Sequence, residues 1–242
     1  MLKLLYNFAS DVLALAFPRI CPVCGGRVAD DFLDAIVCES CRSKLQRALP
    51  PHCERCGRPD VVHHAYCCSL MNTGLHFDQA RAYCLFEDYA RRVVHDMKFN
   101  QRRELAEPMA GMMARAWIER LEERRYDCLI PVPLHPSRRH ARGYNQSDLL
   151  AERLGDMLDM PVDCWNLERR RNTRPQSSLR PQEKVENVRG AFTLDKPERV
   201  KGCEMLLIDD IITTGSTANE CARVLREAGA VRIDVLTFAR TR

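Results

Sequence analysis

Two groups of residues in this 242-residue chain have the types and spacing to do chemistry. The first lies in MLLIDDIITTGSTANECARVL, residues 205–225. An apolar strand ends in two adjacent carboxylates, Asp209 and Asp210, and Thr213, Thr214, Gly215, Ser216 and Thr217 then open a helix. A helix start offers unpaired backbone N–H groups and the positive end of the helix dipole, which suits a phosphate. Gly215 lets the backbone approach the anion, and the hydroxyls of Thr213, Thr214, Ser216 and Thr217 add donors. The acid pair would repel a phosphate but accept from hydroxyls. A ribose with its 5′-phosphate in the loop and its 2′- and 3′-hydroxyls on Asp209 and Asp210 satisfies both halves. The plain alternative is an Asp-rich turn that caps a helix; the whole order of strand, acid pair, TTGST and helix argues against it. A P-loop is excluded, because no Gly-Lys-Ser/Thr follows. Two carboxylates side by side repel each other, and folding alone has no evident use for both.

The second group is metal-ligating. Cys21-x2-Cys24 and Cys38-x2-Cys41 form two knuckles that bring four thiolates within tetrahedral reach, the pattern of a closed structural zinc site. Gly25 and Gly26 follow the first knuckle, as a tight turn favours. Free thiols are the alternative. Cys53-x2-Cys56-Gly57 is a third knuckle, but its partner is irregular: Cys67 and Cys68 are adjacent, with His63 and His64 nearby. A second site on Cys53, Cys56, Cys67 and Cys68, a site of three cysteines and one histidine, or a ribbon that has lost its metal all remain open.

The elements that must position these groups divide the chain. Residues 1–17 read as an amphipathic helix with Leu2, Leu5, Ala9, Val12, Leu13 and Ala16 on one face. Lys3, Asn7, Ser10 and Asp11 break the apolar run that a signal peptide needs. Residues 18–72 are dense in Cys, Pro and Gly and form a small ribbon domain. They cannot make an ordinary apolar core, so something else must hold them. Residues 77–242 alternate strand and helix. Strands are expected at 80–86, 128–132, 205–208 and 231–238, and helices at 88–99, 105–121, from a Ser147 cap through 158, and from 217 to Gly229. Val93, Val94 and Met97 should face inward on the first helix, and Leu105, Met109, Met112, Ala116 and Leu121 on the second. Such alternation implies a parallel sheet with helices on both faces and ligands at the carboxyl ends of its strands. No internal repeat is evident.

Composition limits the function classes. The apolar fraction of 45% suits a globular protein, and a net charge of +4 is too small to steer the whole molecule toward nucleic acid. Residues 169–180 hold five arginines and no acid, a local anion-seeking stretch that could be a lid, a nucleic-acid patch or solvated surface. Only Trp165 and Phe192 lie nearby, which is no aromatic platform for single strands. Thirteen cysteines, an odd number, with Cys84, Cys128, Cys164, Cys203 and Cys221 single in apolar surroundings, fit a reducing compartment. No stretch is long enough to span a membrane, so the cytoplasm is the expected location.

DDIITTGST resembles the phosphoribosyl-pyrophosphate signature of type I phosphoribosyltransferases, and nearly the whole chain resembles the ComF/GntX family of competence-associated proteins. CPVCGG, CESC and CERCG resemble that family's zinc region, PVPLHPSRRHARGYNQSDLLA its second loop, and RNTRPQSSLRPQEKVENVRGAF its middle segment. In that last segment Thr173, Gln176, Leu179, Asn187 and Phe192 fit, and Lys184 departs from an expected Arg. The resemblance implies a Rossmann-like type I phosphoribosyltransferase domain with a parallel sheet, preceded by a small Cys-rich zinc-ribbon domain. It assigns ribose to Asp209 and Asp210, as catalytic residues, and the 5′-phosphate to Thr213–Thr217. It assigns pyrophosphate to Arg138, Arg139 and Arg142, with Arg171 and Gln176 as lid candidates. Zn2+ would be structural, and Mg2+ would accompany phosphoribosyl pyrophosphate. The implied activity is phosphoribosyl transfer to an unknown acceptor, linked to DNA uptake and natural transformation. The competing reading is a non-catalytic factor that binds the same ligand or a nucleotide, or handles single-stranded DNA beside a competence helicase.

Overall fold

The computed structural model describes residues 20–28, 37–59, 74–121, 124–174 and 179–242. The helix expected at 1–17, His63, His64, Cys67, Cys68 and Gln176 lie outside the described residues.

The larger unit contains β1 (Gln79–Leu85), α2 (Asp88–Phe99), α3 (Ala106–Leu121), β2 (Cys128–Pro131), α4 (Pro136–Arg142) and α5 (Gln146–Leu158). There follow β3 (Leu167–Arg169), α6 (Pro181–Val188), β4 (Phe192–Leu194), β5 (Glu204–Ile212), α7 (Ser216–Glu227) and β6 (Arg232–Arg240); a single turn, α1 (Glu39–Arg42), lies in the ribbon. Four strands make a parallel sheet in the order β1-β6-β5-β2. Its strands read as near-continuous apolar runs because both faces are covered. On one face Leu206, Ile208, Leu236 and Phe238 pack in a core with α2, α3 and α5. On the other, Leu207, Ile233 and Val235 pack against Ala218, Cys221, Ala222 and Leu225 of α7. The inward residues expected on α2 (Val93, Val94, Met97) and on the next helix (Leu105, Met109, Met112, Ala116, Leu121) are all buried. The pair β3–β4 forms a separate antiparallel ribbon, which the sequence reading does not contain.

Register brings the two unusual loops together. Pro131 stands opposite Ile208, and the Val132 N–H donates to the Ile208 carbonyl at 2.9 Å. The loops leaving β2 and β5 are therefore neighbours at the carboxyl edge, where a parallel sheet places ligands.

The ribbon lies along the free edge of β1. Ala48 N–H donates to the Tyr83 carbonyl (3.0 Å), Leu85 N–H to Gln46 (2.7 Å) and Ala80 N–H to Arg55 (2.6 Å). An exposed strand edge is a site for unwanted pairing, and the ribbon closes it. The first and third knuckles share one backbone pattern. Cys21 N–H donates to the Gly26 carbonyl and Gly25 N–H to Cys21; Cys53 N–H donates to Arg58 and Gly57 N–H to Cys53, each at 2.7–2.8 Å. The backbone turn of the Cys21 knuckle thus recurs at Cys53. Cys21, Val37, Cys41 and Leu45 join the core of α2 and α3, so the ribbon does have apolar support besides a metal.

Candidate ligand site and metal centre

Asp209 and Asp210 end the buried part of β5, and their environments differ. Asp210 has a side chain 4% exposed, and its Oδ2 lies 2.5 Å from Lys98 Nζ at the end of α2. Burial alone would raise this carboxyl, but the Lys98 ammonium, with Arg142 further off, outweighs burial and holds it below the usual carboxylate range. Asp209 is half-buried; its Oδ1 accepts from Ser147 Oγ and from the Asp210 N–H, both at 2.9 Å. Burial, then the charge of Asp210, pushes this carboxyl above the usual range. The pair is therefore split: one carboxylate held charged, its neighbour disposed to hold a proton.

The loop that follows opens α7, and Thr214, Gly215 and Ser216 are not among the residues lining the cavity that holds Asp209 and Asp210. Gly215 is the N-cap of α7 with φ +82°, a left-handed conformation that favours glycine. Thr214 Oγ1 and Ser216 Oγ share a hydrogen bond of 2.5 Å. Thr213 and Thr217 line a cavity of about 460 Å³ together with Asp209 and Asp210.

The basic loop after β2 is a short helix, α4, and not an irregular loop. His135 caps it through Nδ1, Pro136 sits in its first turn, and Gly143 ends it at φ +84°. This helix splits the three arginines assigned to pyrophosphate. Arg138 and Arg142 line the cavity; Arg138 donates to the Thr173 carbonyl and Arg142 to Gln146 Oε1. Arg139 is not among the residues lining that cavity: it pairs with Asp148 at 3.2 Å and lies over the Trp165 ring at 5.0 Å. Asn145, not Ser147, caps α5, accepting from the Ser147 N–H. Ser147 is freed to hold Asp209. Of the lid candidates, Arg171 donates to the carbonyls of Asn187 and Arg189, away from the cavity.

Arg169, from β3 and the first of the arginines at 169–180 read as a possible lid, does line the cavity. Sequence reasoning missed other lining residues: Arg91, His95, Lys98 and Phe99 come from α2 and Lys184 from α6. Lys184, noted only as a departure from Arg, still presents a cation. The α2 residues recur at helical spacing on the face beside Val94. That spacing was a usable signal, hidden because Arg91, His95 and Lys98 read as an ordinary solvated face.

The metal centre is assembled. One sulfur from each of Cys21, Cys24, Cys38 and Cys41 lies within 4.8 Å of the others, and Cys24 and Cys38 Sγ are 3.5 Å apart. Zn–S bonds of about 2.3 Å set the sulfurs of a tetrahedron about 3.8 Å apart, so four thiolates here fit structural zinc. The third knuckle is also formed, with Cys53 and Cys56 buried and Arg240 Nη2 donating to Cys56 Sγ at 3.7 Å. Among the described residues no helix is long and apolar enough to cross a membrane.

Residues 12–71 match a family model described as "Double zinc ribbon domain". The chain is 31% identical to the DNA utilization protein YhgH of Shigella flexneri over 211 residues, 85% of this chain and 90% of that protein. It is 30% identical to competence protein ComFC of Bacillus subtilis strain 168 over 239 residues, 92% of this chain and 95% of that one. Among solved structures, the B. subtilis glutamine phosphoribosylpyrophosphate amidotransferase complexed with ADP and GMP is similar at 19% identity and a TM-score of 0.37, over 55% of this chain and 26% of that chain. A score that low carries no functional argument. A parallel sheet with helices on both faces and a four-cysteine ribbon define an α/β protein with a zinc ribbon. More narrowly, the chain belongs to the family of the ComF/ComFC competence proteins and YhgH.

Proposed function

We propose that the chain binds phosphoribosyl pyrophosphate, or a nucleotide carrying the same phosphoribosyl unit, and transfers that unit to an acceptor. A single observation carries this reading. One cavity of about 460 Å³ gathers Asp209, Asp210, Thr213 and Thr217 with Arg138, Arg142, Arg169 and Lys184. The ribose hydroxyls fall to the acid pair and the 5′-phosphate to the start of α7. The pyrophosphate falls to the guanidinium groups, whose planar forks suit it. Loss of pyrophosphate leaves an oxocarbenium-like sugar, so catalysis rests on placement and on charge held ready. A ring carbon turning positive would lie beside Asp209 and Asp210, while the leaving group moves toward Arg138 and Arg142.

Mg2+ belongs to this reading as the ion that neutralises pyrophosphate. The acid pair itself offers it a poor site, since Lys98 already covers Asp210; no step is assigned to it. The link to DNA uptake follows the family, and the thiol-rich ribbon is consistent with a cytoplasmic setting. We read residues 18–72 and 77–242 as ribbon and ligand domains. A second reading, a single-strand or helicase accessory role, draws on Trp165, which is 71% exposed with Arg139 over its ring, an aromatic–cation pair outside the cavity. Incubating the zinc-loaded protein with phosphoribosyl pyrophosphate, Mg2+ and a panel of acceptors decides: acceptor-dependent pyrophosphate release supports transfer. Tight ligand binding without release in any mixture leaves the chain a binding factor.

A further inference from the structure

The cation nearest the acid pair belongs to the protein. Lys98 Nζ lies 2.5 Å from Asp210 Oδ2, and the two side chains are 21% and 4% exposed. The position of Lys98 is fixed by its helix. Ala90, Val93, Val94 and Met97 of α2 are buried, and the Met97 carbonyl accepts from the Tyr144 hydroxyl. A helix anchored in the core thus holds the backbone that carries this ammonium beside Asp210. Of the remaining oxygens, Asp209 Oδ1 is also committed, taking the Ser147 hydroxyl and the Asp210 N–H. Among the described residues, no third carboxylate, histidine or cysteine joins the pair in a metal-ligating group. Mg2+ demands near-octahedral oxygen ligation and gives up its waters reluctantly, so two half-occupied carboxylates beside an ammonium are a poor host.

From this we infer that Lys98 is the resident cation of the acid pair: it holds the place a divalent ion would take, so the sugar end of the site needs no metal. The inference rests on the ribose reading of Asp209 and Asp210 for its sugar arm only. Divalent ion then enters with the pyrophosphate and not with the sugar. A ribose 5-phosphate without pyrophosphate should bind equally well with or without it, its hydroxyls sharing Asp210 with the ammonium.

Two measurements on the full-length, zinc-loaded protein in chelator-free, metal-depleted buffer test this. In the first, Mn2+ alone is titrated and followed by electron paramagnetic resonance. The parent should show no Mn2+ site sensitive to Asp210→Asn. Lys98→Met should gain one, Lys98→Met/Asp210→Asn should lose it again, and Lys98→Arg should match the parent. In the second, ribose 5-phosphate is titrated calorimetrically with and without millimolar Mg2+. The parent's Kd should change by less than about threefold, while Lys98→Met should bind at least about tenfold tighter with Mg2+ than without. A parent Mn2+ site abolished by Asp210→Asn overturns the inference, as does a folded Lys98→Met that gains no site. If Lys98→Met does not fold, the parent and Lys98→Arg still decide through the first of these outcomes. If the parent binds no ribose 5-phosphate at all, the ribose reading falls, and the Mn2+ arm, which uses no sugar, still judges Lys98.

Discussion

Replacing either member of the acid pair by its isosteric amide should change stability in opposite directions. Asp209→Asn keeps an acceptor oxygen for the Ser147 hydroxyl and the Asp210 N–H and removes one of two like charges. Two unit charges about 4 Å apart repel by about 4 kcal/mol at an effective dielectric of about 20, an upper limit here because Asp209 is disposed to hold a proton. Lys98 cancels most of this, leaving a gain of about 1 kcal/mol, within the range found when a functional charge is removed. Asp210→Asn instead trades the Lys98 ion pair for a neutral hydrogen bond, a loss of about 1 kcal/mol. The larger penalty of a stranded buried charge does not apply, because Lys98 is 21% exposed and can turn to water. The pH dependence has a definite sign. Asp209 is raised in the folded state, so the cost of its charge appears as pH climbs above about 4. The advantage of Asp209→Asn should be absent near that pH and grow toward neutrality. Asp210 is lowered; its contribution is present above about 4 and lost in stronger acid, so the Asp210→Asn penalty persists across the working range. Urea midpoints of the zinc-saturated proteins at pH of about 5 and about 7 read both effects. Two shifts of the same sign at neutral pH would refute the split between the carboxylates.

Three further outcomes follow from the same structure. Metal analysis should find at least one zinc per chain, and stripping it should open residues 18–72 to protease; a metal-free protein with an equally resistant ribbon would remove the zinc assignment. Gly57 has φ +69°, and a Cβ there would lie 2.4 Å from the Ala80 carbonyl oxygen. Gly57→Ala should therefore cost about 2–4 kcal/mol, read by chemical denaturation, as the ribbon is pushed off the β1 edge. Arg142→Met should weaken phosphoribosyl pyrophosphate by about tenfold to a hundredfold and ribose 5-phosphate far less, while Arg139→Met should change either Kd by less than about threefold, both read calorimetrically.

Much of this was legible in the sequence for physical reasons. The strand ending in Asp209 and Asp210, Gly215 at a left-handed cap and the knuckles of Cys21–Cys24 and Cys38–Cys41 are local signals, carried by residues a few positions apart. The inward faces of the helices followed from their apolar spacing alone. What stayed hidden depends on residues distant in sequence. Nothing around Lys98 marks it as the partner of Asp210, since an amphipathic helix with charges on its outer face looks the same whether that face meets water or a ligand cavity. Side-by-side carboxylates by themselves suggest that Asp210→Asn, or both changed to Asn, leaves stability unchanged or slightly higher; the Lys98 ion pair, invisible in the sequence, is why a loss is expected at Asp210. Ser147 looked like a cap because it precedes a helical run, yet Asn145 holds the N-terminus and Ser147 reaches across to β5. The division of Arg138 and Arg142 from Arg139 could not be read while the segment was taken for a loop, because it is helical spacing that puts residues four apart, Arg138 and Arg142, on one side and Arg139 on another.

The measurement that bears most directly on the central claim is calorimetric titration of phosphoribosyl pyrophosphate, with Mg2+ present, into the parent and the Asp209→Asn/Asp210→Asn variant. The parent should bind one equivalent saturably. The variant, shown to be folded by its denaturation midpoint, should bind more weakly by about ten- to a hundredfold for each charged hydrogen bond removed. A parent that takes up no ligand, or a folded variant that binds as tightly as the parent, would contradict the assignment of Asp209 and Asp210 to a phosphorylated ribose.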